Sequence, residues 1–189
     1  MVSWFLQQSR EKNFRILLAV ILLVSVAFSL EFSFFEYGFL KSLRLLLILW
    51  GLTAAAWTDF REKRIPNRIL LILLLLRSVI LLIEILCYPD YWISFAISSI
   101  GGFAIGGGMF LLCYLISKGG MGAGDVKLMA VLGYYLGMSG IFTCSFLSIV
   151  CAAIYSILLL ILRKVKLKEE IAFAPFVLTG AILTIGLGV

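Results

Sequence analysis

Two aspartates, Asp59 and Asp125, lie where long apolar stretches of the chain meet polar segments. Asp59 follows the apolar string LTAAAW after one threonine, and Asp125 lies in the string GGMGAGDVK, which precedes another apolar stretch. A carboxylate beside a membrane segment is costly and commonly has a function. Two carboxylates that lie close together cannot both ionise comfortably, so one can activate a water while the other, protonated, donates a proton. The residues themselves therefore predict acid–base hydrolysis, and in a chain without histidine a pair of aspartates is the chemistry left for attacking a peptide bond.

The composition excludes several other chemistries. The 189 residues include no histidine, so serine–histidine, cysteine–histidine and HExxH zinc mechanisms are excluded. No two of the four cysteines form a C-x-x-C motif, and we predict that they are inert, buried thiols. We therefore expect no metal site and no cofactor. The cysteines are Cys87, Cys113, Cys144 and Cys151.

The chain has the composition of an integral membrane protein. Hydrophobic residues make up 63% of it and charged residues 14%, whereas soluble domains are near half apolar and a quarter charged. Its apolar segments are too long for the strands of a membrane barrel and show no period-2 alternation. We predict an all-α bundle in one peptidase domain, 1–189, with 1–38 as an additional N-terminal span and 39–189 as the catalytic core.

Long apolar segments mark the predicted membrane spans, since a helix needs about 20 apolar residues to cross a bilayer. We predict about seven spans, with six as the alternative, because the fifth segment is short and suits a tilted or re-entrant helix. The first segment also admits interpretation as a cleaved signal peptide. The predicted segments are 14–30, 39–57, 68–87, 93–116, 126–138, 140–162 and 171–188.

The basic residues predict the orientation of these spans. Of the 16 lysines and arginines, 13 lie in alternate loops, which the positive-inside rule places in the cytoplasm. This assignment puts the N-terminus, Asp59 and Asp125 on the cytoplasmic side of the plasma membrane, and the C-terminus outside. Because the topology explains the net charge of +6, we expect no nucleic-acid partner.

Glycines and charges inside the spans give further predictions. The pairs Gly102–Gly106 and Gly133–Gly137 have the small-xxx-small spacing that favours close helix contact. Arg77 lies within the third segment, and pairing with Glu84 would explain its presence there. Snorkelling of the arginine is the alternative, since seven residues are two turns along one face of a helix and a direct contact would have to span that distance.

Three strings together resemble the motifs of a known family. DFREKRIPN fits D-x5-[IL]-P-[DN], GAGDVK fits G-x-G-D-x-K, and FAPFVLTGA is similar to a proline-containing motif in the last span. In this order they resemble the type IV prepilin peptidases, membrane aspartyl proteases that trim leaders from prepilins, pseudopilins and archaeal preflagellins. The resemblance extends from about Trp50 to Gly180 and implies that Asp59 and Asp125 are the catalytic pair.

The resemblance also implies roles for residues around the pair. Two glycines and a lysine belong to the second motif, and the lysine would hold the loop or steady the local negative charge. A proline and an asparagine would end the loop after Asp59 and start the next helix, and the last span would line the site. These residues are Gly122, Gly124, Lys127, Pro66, Asn67 and, within 174–176, Pro175.

The partners implied by the family are prepilin-like substrates with a hydrophobic N-terminal helix, and membrane lipid. We expect the substrate helix to pack against the spans around Gly102 and Gly106. Larger, bifunctional family members carry a cytoplasmic region with paired C-x-x-C motifs, which this sequence lacks. It therefore looks like a short, peptidase-only form.

Other interpretations remain open at this point. One is a different intramembrane aspartyl protease, either presenilin-like or a lipoprotein signal peptidase. Another is a small transporter or scaffold in which the aspartates couple ions or cap helices. In the capping interpretation, Asp125 caps a helix that starts at Val126, and Asp59 caps a short turn through FREK.

Overall fold

The computed structural model describes residues 12–34, 38–117, 121–162 and 172–188. Within these ranges the chain forms helices and no strands, which confirms the all-α prediction. A one-turn 3-10 helix, Pro89–Tyr91, precedes the fourth α-helix. The α-helices are α1 (Lys12–Phe34), α2 (Phe39–Glu62), α3 (Asn67–Cys87), α4 (Trp92–Ser117), α5 (Ala123–Ile161) and α6 (Ala174–Gly186).

Most of these helices can cross a membrane. Among the described residues, five helices, α1 to α5, are long and apolar enough to do so, and α6 is a shorter apolar helix of 13 residues. The last predicted segment, 171–188, is thus shorter in the structure, where the helix begins at Ala174. Residue 171 lies outside the described residues. The chain is a multi-pass membrane protein, and the side on which its N-terminus lies stays a prediction from the sequence.

Gly137 divides α5 into two antiparallel limbs. Its backbone has φ 78° and ψ −175°, a region that favours glycine. A Cβ placed on Gly133 would lie 3.3 Å from Cγ1 of Ile141, whereas a straight helix would separate these residues by about 12 Å. The chain therefore folds back at Gly137. We call residues 123–136 the outgoing limb and 138–161 the returning limb. The fold-back lies between the fifth and sixth predicted segments, and the number of membrane crossings stays a prediction.

Glycines allow α4 to pack closely on α5. A Cβ on Gly102 would collide with the backbone carbonyl of Gly133, and one on Gly106 would collide with the carbonyl of Met129. The prediction of close helix contact at the small-xxx-small motifs is confirmed. Because α5 covers this face of α4, the glycines themselves are not accessible to a substrate helix, and its packing against the spans around them stays a prediction.

The centre of the bundle is made by α2, the outgoing limb and α6. Ile48, Leu49, Leu132 and Val177 from these elements are completely buried, within one continuous apolar core. The core holds the last turns of α2 against the first turn of α6. It thereby positions Asp59, which lies one turn before the end of α2.

The cysteines do not all follow the prediction of burial. Cys144 is buried and Cys151 is partly buried, but Cys87 and Cys113 are exposed on the outer surface of the bundle. An apolar segment predicts that a residue lies in the membrane. It does not tell whether the side chain faces protein or lipid, so the prediction is wrong for these two residues.

Candidate active site

Asp59 lies inside the bundle, although it is close to the end of a helix. Asp59 is only 6% exposed, and its Oδ2 accepts a hydrogen bond of 2.9 Å from the backbone N–H of Ala174. That amide is in the first turn of α6, where backbone N–H groups have no partner within the helix. Asp59 therefore caps α6 from another helix, whereas the short turn through FREK is simply the continuation of α2 to Glu62.

Asp125 lies in the first turn of α5 and is half-buried. Its Oδ2 accepts a hydrogen bond of 3.3 Å from the N–H of Gly122, and its own N–H donates to the carbonyl of Gly122 at 3.1 Å. The predicted capping role is thus present, but the helix begins at Ala123 and not at Val126. A local capping bond leaves the second carboxylate oxygen of Asp125 able to serve another purpose.

The segments that carry the two aspartates are in contact. Nζ of Lys127 donates a hydrogen bond of 3.1 Å to Oδ1 of Asn67, which joins the second motif to the first. A Cβ placed on Gly124 would lie 3.3 Å from the Cβ of Ile65, so the glycine allows the start of α5 to approach the loop after Asp59. Lys127 thus contacts the first residue of α3, and its role in holding the loop or steadying the local negative charge stays a prediction.

The two carboxylates also interact electrostatically. Asp125 is partly removed from water, and it also lies within the electrostatic influence of Asp59. Like charges at short range in a partly dry site disfavour the state in which both are ionised. Acid–base catalysis by a pair of carboxylates would use one ionised and one protonated member, so the two aspartates stay the predicted catalytic pair.

The loop between α2 and α3 is short and has a defined conformation. Lys63 ends α2 in the left-handed region with φ 51°, and its N–H donates to the carbonyl of Asp59 at 2.9 Å. Pro66 is the extended residue before α3, which begins at Asn67. The predicted role of these two residues in ending the loop and starting the next helix agrees with the structure.

The final motif reaches the site through its backbone. Pro175 lies in the first turn of α6, where a residue without N–H costs no helical hydrogen bond. Its neighbour Ala174 is completely buried and donates to Asp59. Sequence reasoning placed 174–176 at the site but missed this hydrogen bond and the contact of Ile65. Pro175 was the sequence signal that could have predicted a helix N-terminus here, and a helix N-terminus has N–H groups that need an acceptor.

The described residues offer no obvious place for a metal. They contain no group of three or more cysteine, aspartate or glutamate side chains that could hold a metal ion. Gly122 and Gly124 contribute no side chains to the site. The space beside each of them is already occupied, since an added Cβ would lie 3.2 Å from Oδ2 of Asp125 at Gly122 and 3.3 Å from Cβ of Ile65 at Gly124.

Fold and site together define a polytopic helical membrane protein with a pair of interacting carboxylates at one end of its bundle. Residues 45–157 match the type IV leader peptidase family. The chain belongs to this family.

Three relatives carry the name prepilin leader peptidase/N-methyltransferase. The protein of Bacillus subtilis is 32% identical over 70% of this chain and 50% of its own length. The protein of Stutzerimonas stutzeri is 29% identical over 70% of this chain and 45% of its own length. The protein of Aeromonas hydrophila is 28% identical over 85% of this chain and 52% of its own length. The chain thus spans about half the length of these relatives. No solved structure matches it.

Proposed function

We propose that this chain is a membrane aspartyl endopeptidase that removes the basic leader from prepilin-like proteins. The observation that carries the proposal is the convergence of the two aspartate motifs. Lys127 is hydrogen-bonded to Asn67, and the charge of Asp59 acts on Asp125. Membership of the leader peptidase family and the names of the relatives support the same activity.

The reaction that suits the pair is hydrolysis without a covalent intermediate. The ionised carboxylate takes a proton from a water molecule, and the water oxygen attacks the carbonyl carbon of the peptide bond. The protonated carboxylate donates its proton to the carbonyl oxygen, which gives a tetrahedral gem-diol. When this intermediate collapses and the C–N bond breaks, the carboxyl group that took the proton from water gives it to the leaving nitrogen. The other carboxylate takes a proton from one hydroxyl group of the gem-diol, which becomes the carboxyl group of the product. The pair is then ready for another water.

The position of the site agrees with a substrate anchored in the bilayer. Asp59 lies near the end of α2, a helix of 24 residues that begins at Phe39, so the carboxylate is about 30 Å along the helix from its start. This distance is the thickness of the hydrocarbon core of a membrane. With the cytoplasmic orientation that the basic loops predict, the scissile bond lies at the inner boundary of the plasma membrane, next to the substrate's hydrophobic helix.

The charge around the site bears on the recognition of a basic leader. The segment after Asp59 carries three basic residues that would repel a cationic leader at long range: Arg61, Lys63 and Arg64. Glu62 and anionic lipid headgroups can offset this repulsion. Specificity then rests on the hydrophobic helix of the substrate, whose apolar residues keep it in the membrane beside the enzyme.

Leader cleavage by purified protein in liposomes tests the proposal. The substrate carries a basic leader, a glycine and a hydrophobic helix, and the products are identified by mass spectrometry. We expect Asp59→Asn and Asp125→Asn each to lower the rate by about 10²- to 10⁴-fold or more, as for loss of a general acid or base. Asp90→Asn is the control, because Asp90 is exposed in the 3-10 helix at the opposite end of the bundle. Cleavage near the wild-type rate by either active-site variant would refute the proposed pair.

A further inference from the structure

A second polar site lies at the end of the bundle opposite to the aspartates. It is a cavity of about 290 Å³ between α2, α4 and the turn of α5. Arg44 lines this cavity and precedes Asp59 by fifteen residues on α2, which places it about 22 Å from Asp59 along the helix axis. Other polar residues of the lining are Lys41, Ser94, Ser98, Ser99 and Ser139.

Arg44 belongs to a network of three charged residues, with Arg77 and Glu84, whose charges do not sum to zero. Nη1 of Arg44 donates to Oε1 of Glu84 at 3.3 Å, and Nη1 of Arg77 donates to Oε2 of the same carboxylate at 2.9 Å. Two guanidinium groups thus share one negative charge, and the trio retains a charge of +1. The side chains of Arg77 and Glu84 are buried and that of Arg44 is 16% exposed, so the excess positive charge lies in mostly dry surroundings, where it is unfavourable without an anion.

Arg44 also has an unused hydrogen-bond donor. Its Nε is buried and finds no acceptor among the described residues. A guanidinium group has five N–H donors, and burial of one without a partner carries a desolvation cost. An anion in the adjacent cavity would accept this hydrogen bond and compensate the remaining charge.

Two helix N-termini border the same cavity. Lys41 is the third residue of α2, and Ser139 is the second residue of the returning limb. Helix N-termini carry a partial positive charge and free N–H groups, which favour phosphate and other anions. The hydroxyl groups of Ser94, Ser98 and Ser139 add donors from two helices that approach from different directions.

We propose that this cavity binds a phosphate group, supplied by the headgroup of a phospholipid or by free phosphate. A tetrahedral phosphate has several oxygen acceptors and suits donors that converge from α2, α4 and the returning limb better than a planar carboxylate does. Leu45 and Phe95 line the same cavity, so an amphiphile finds apolar surface beside the polar group. The lipid would come from the leaflet opposite to Asp59 and Asp125. Its phosphate would join the turn at Gly137 to α2 and α4.

The binding test uses delipidated full-length protein in a neutral detergent. The midpoint of thermal unfolding is measured during titration with phosphatidylglycerol, with inorganic phosphate, or with diacylglycerol, which has the lipid chains without the phosphate. We expect phosphatidylglycerol to raise the midpoint with saturation, and diacylglycerol to have no such effect. A saturable effect of inorganic phosphate at similar concentrations would assign the site to free phosphate. If neither phosphate compound raises the midpoint, the proposal is wrong.

Ser139→Asp separates specific binding from a general effect of lipid. Ser139 is exposed and near a helix N-terminus, where an aspartate favours the helix, but its negative charge would oppose a phosphate in the cavity. We expect the variant to fold and its apparent Kd for the phosphate compound to rise about tenfold or more. Ser139→Asn is the matched neutral control and should bind nearly as tightly as the wild type. Ser94→Asp, at a second exposed lining position, should weaken binding in the same way. If both aspartate variants bind the phosphate compound as tightly as the wild type does, the assignment to this cavity is wrong.

Discussion

The Asp59 carboxylate and the Ala174 amide, 115 residues apart in the chain, are joined by a hydrogen bond of 2.9 Å. The bond fixes the orientation of the carboxylate and satisfies a donor in the first turn of α6. One proposed catalytic residue is thus positioned by the last helix of the bundle, while the other, Asp125, is held by a bond within its own turn. The two aspartates differ in burial and in partners, as suits a pair whose members have different protonation roles.

Asp59 and Asp125 are expected to act as one unit. Asp59→Asn keeps a side-chain oxygen that can accept the hydrogen bond of Ala174, so the variant should fold while losing cleavage. The double variant with Asp125→Asn should be little worse than either single variant, because residues that act together are not additive. Single-turnover cleavage rates and the unfolding midpoints of all three variants check this. A double variant whose loss equals the product of the single losses would contradict the shared mechanism.

Gly102 should not tolerate a side chain. In Gly102→Ala the new methyl group meets the backbone of Gly133 and Gly137, which cannot move aside as a flexible side chain would. We expect a loss of about 1–3 kcal/mol in the free energy of unfolding, as for overpacked cores. Gly108→Ala is the control on the same helix, since nothing lies within 4 Å of its added Cβ. Unfolding in detergent measures both, and equal stabilities would show that α4 and α5 are less closely packed than the structure indicates.

Arg77 should be essential to stability. It is completely buried and donates to Glu84, to the carbonyl of Tyr134 at 3.0 Å and to Ser99 at 2.8 Å. Arg77→Met leaves these buried acceptors without their donor, and we expect a loss of about 3 kcal/mol or more. The exposed Arg68→Met should change stability by less than about 0.5 kcal/mol. The comparison requires equilibrium unfolding, and a mild effect of Arg77→Met would mean that Arg44 alone compensates Glu84.

Cleavage should depend on neither metal nor thiols. The mechanism proposed above needs only the two carboxylates and water, and the sequence has no histidine. Activity should therefore survive EDTA and 1,10-phenanthroline, and a variant with all four cysteines replaced by alanine should cleave at close to the wild-type rate. Inhibition by a chelator that added zinc reverses would reveal a metal site.

The hydrophobic helix of the substrate should provide most of the binding. A full-length substrate in liposomes should be cleaved with a kcat/KM far above that of the same leader peptide without its helix, because the helix holds the scissile bond at the membrane boundary. A control substrate with a scrambled apolar helix of equal hydropathy should behave like the full-length one. If the short peptide is cleaved as efficiently, recognition is confined to the loop around the scissile bond.

The sequence was sufficient to predict the helical membrane fold and the two aspartate motifs. Both follow from local properties. A long apolar segment must be helical in a bilayer because its backbone groups have no water to bind. The glycine spacings predicted close contact for a similar reason, since a residue without a side chain permits helix backbones to approach each other.

Sequence separation was misleading for Arg77 and Glu84. Seven residues correspond to about 10.5 Å along a helix, which a direct contact would have to span. The structure has an ion pair of 2.9 Å. A glutamate on a helix leans toward the N-terminus, and a long arginine side chain can extend to meet it. Glu84 is the carboxylate that Arg77 pairs with, although Glu84 also pairs with Arg44.

Only the tertiary structure determined which distant groups meet at the proposed active site. The sequence placed Asp59, Asp125 and Pro175 at the ends of separate segments, and their motifs suggested a shared site. It could not predict that Ala174 would donate to Asp59, that Ile65 would lie against Gly124, or that the chain would fold back at Gly137. These contacts depend on how the helices are arranged around a common core. That arrangement is decided by the packing of side chains from all of the helices together, because each apolar segment taken singly is equally satisfied by lipid.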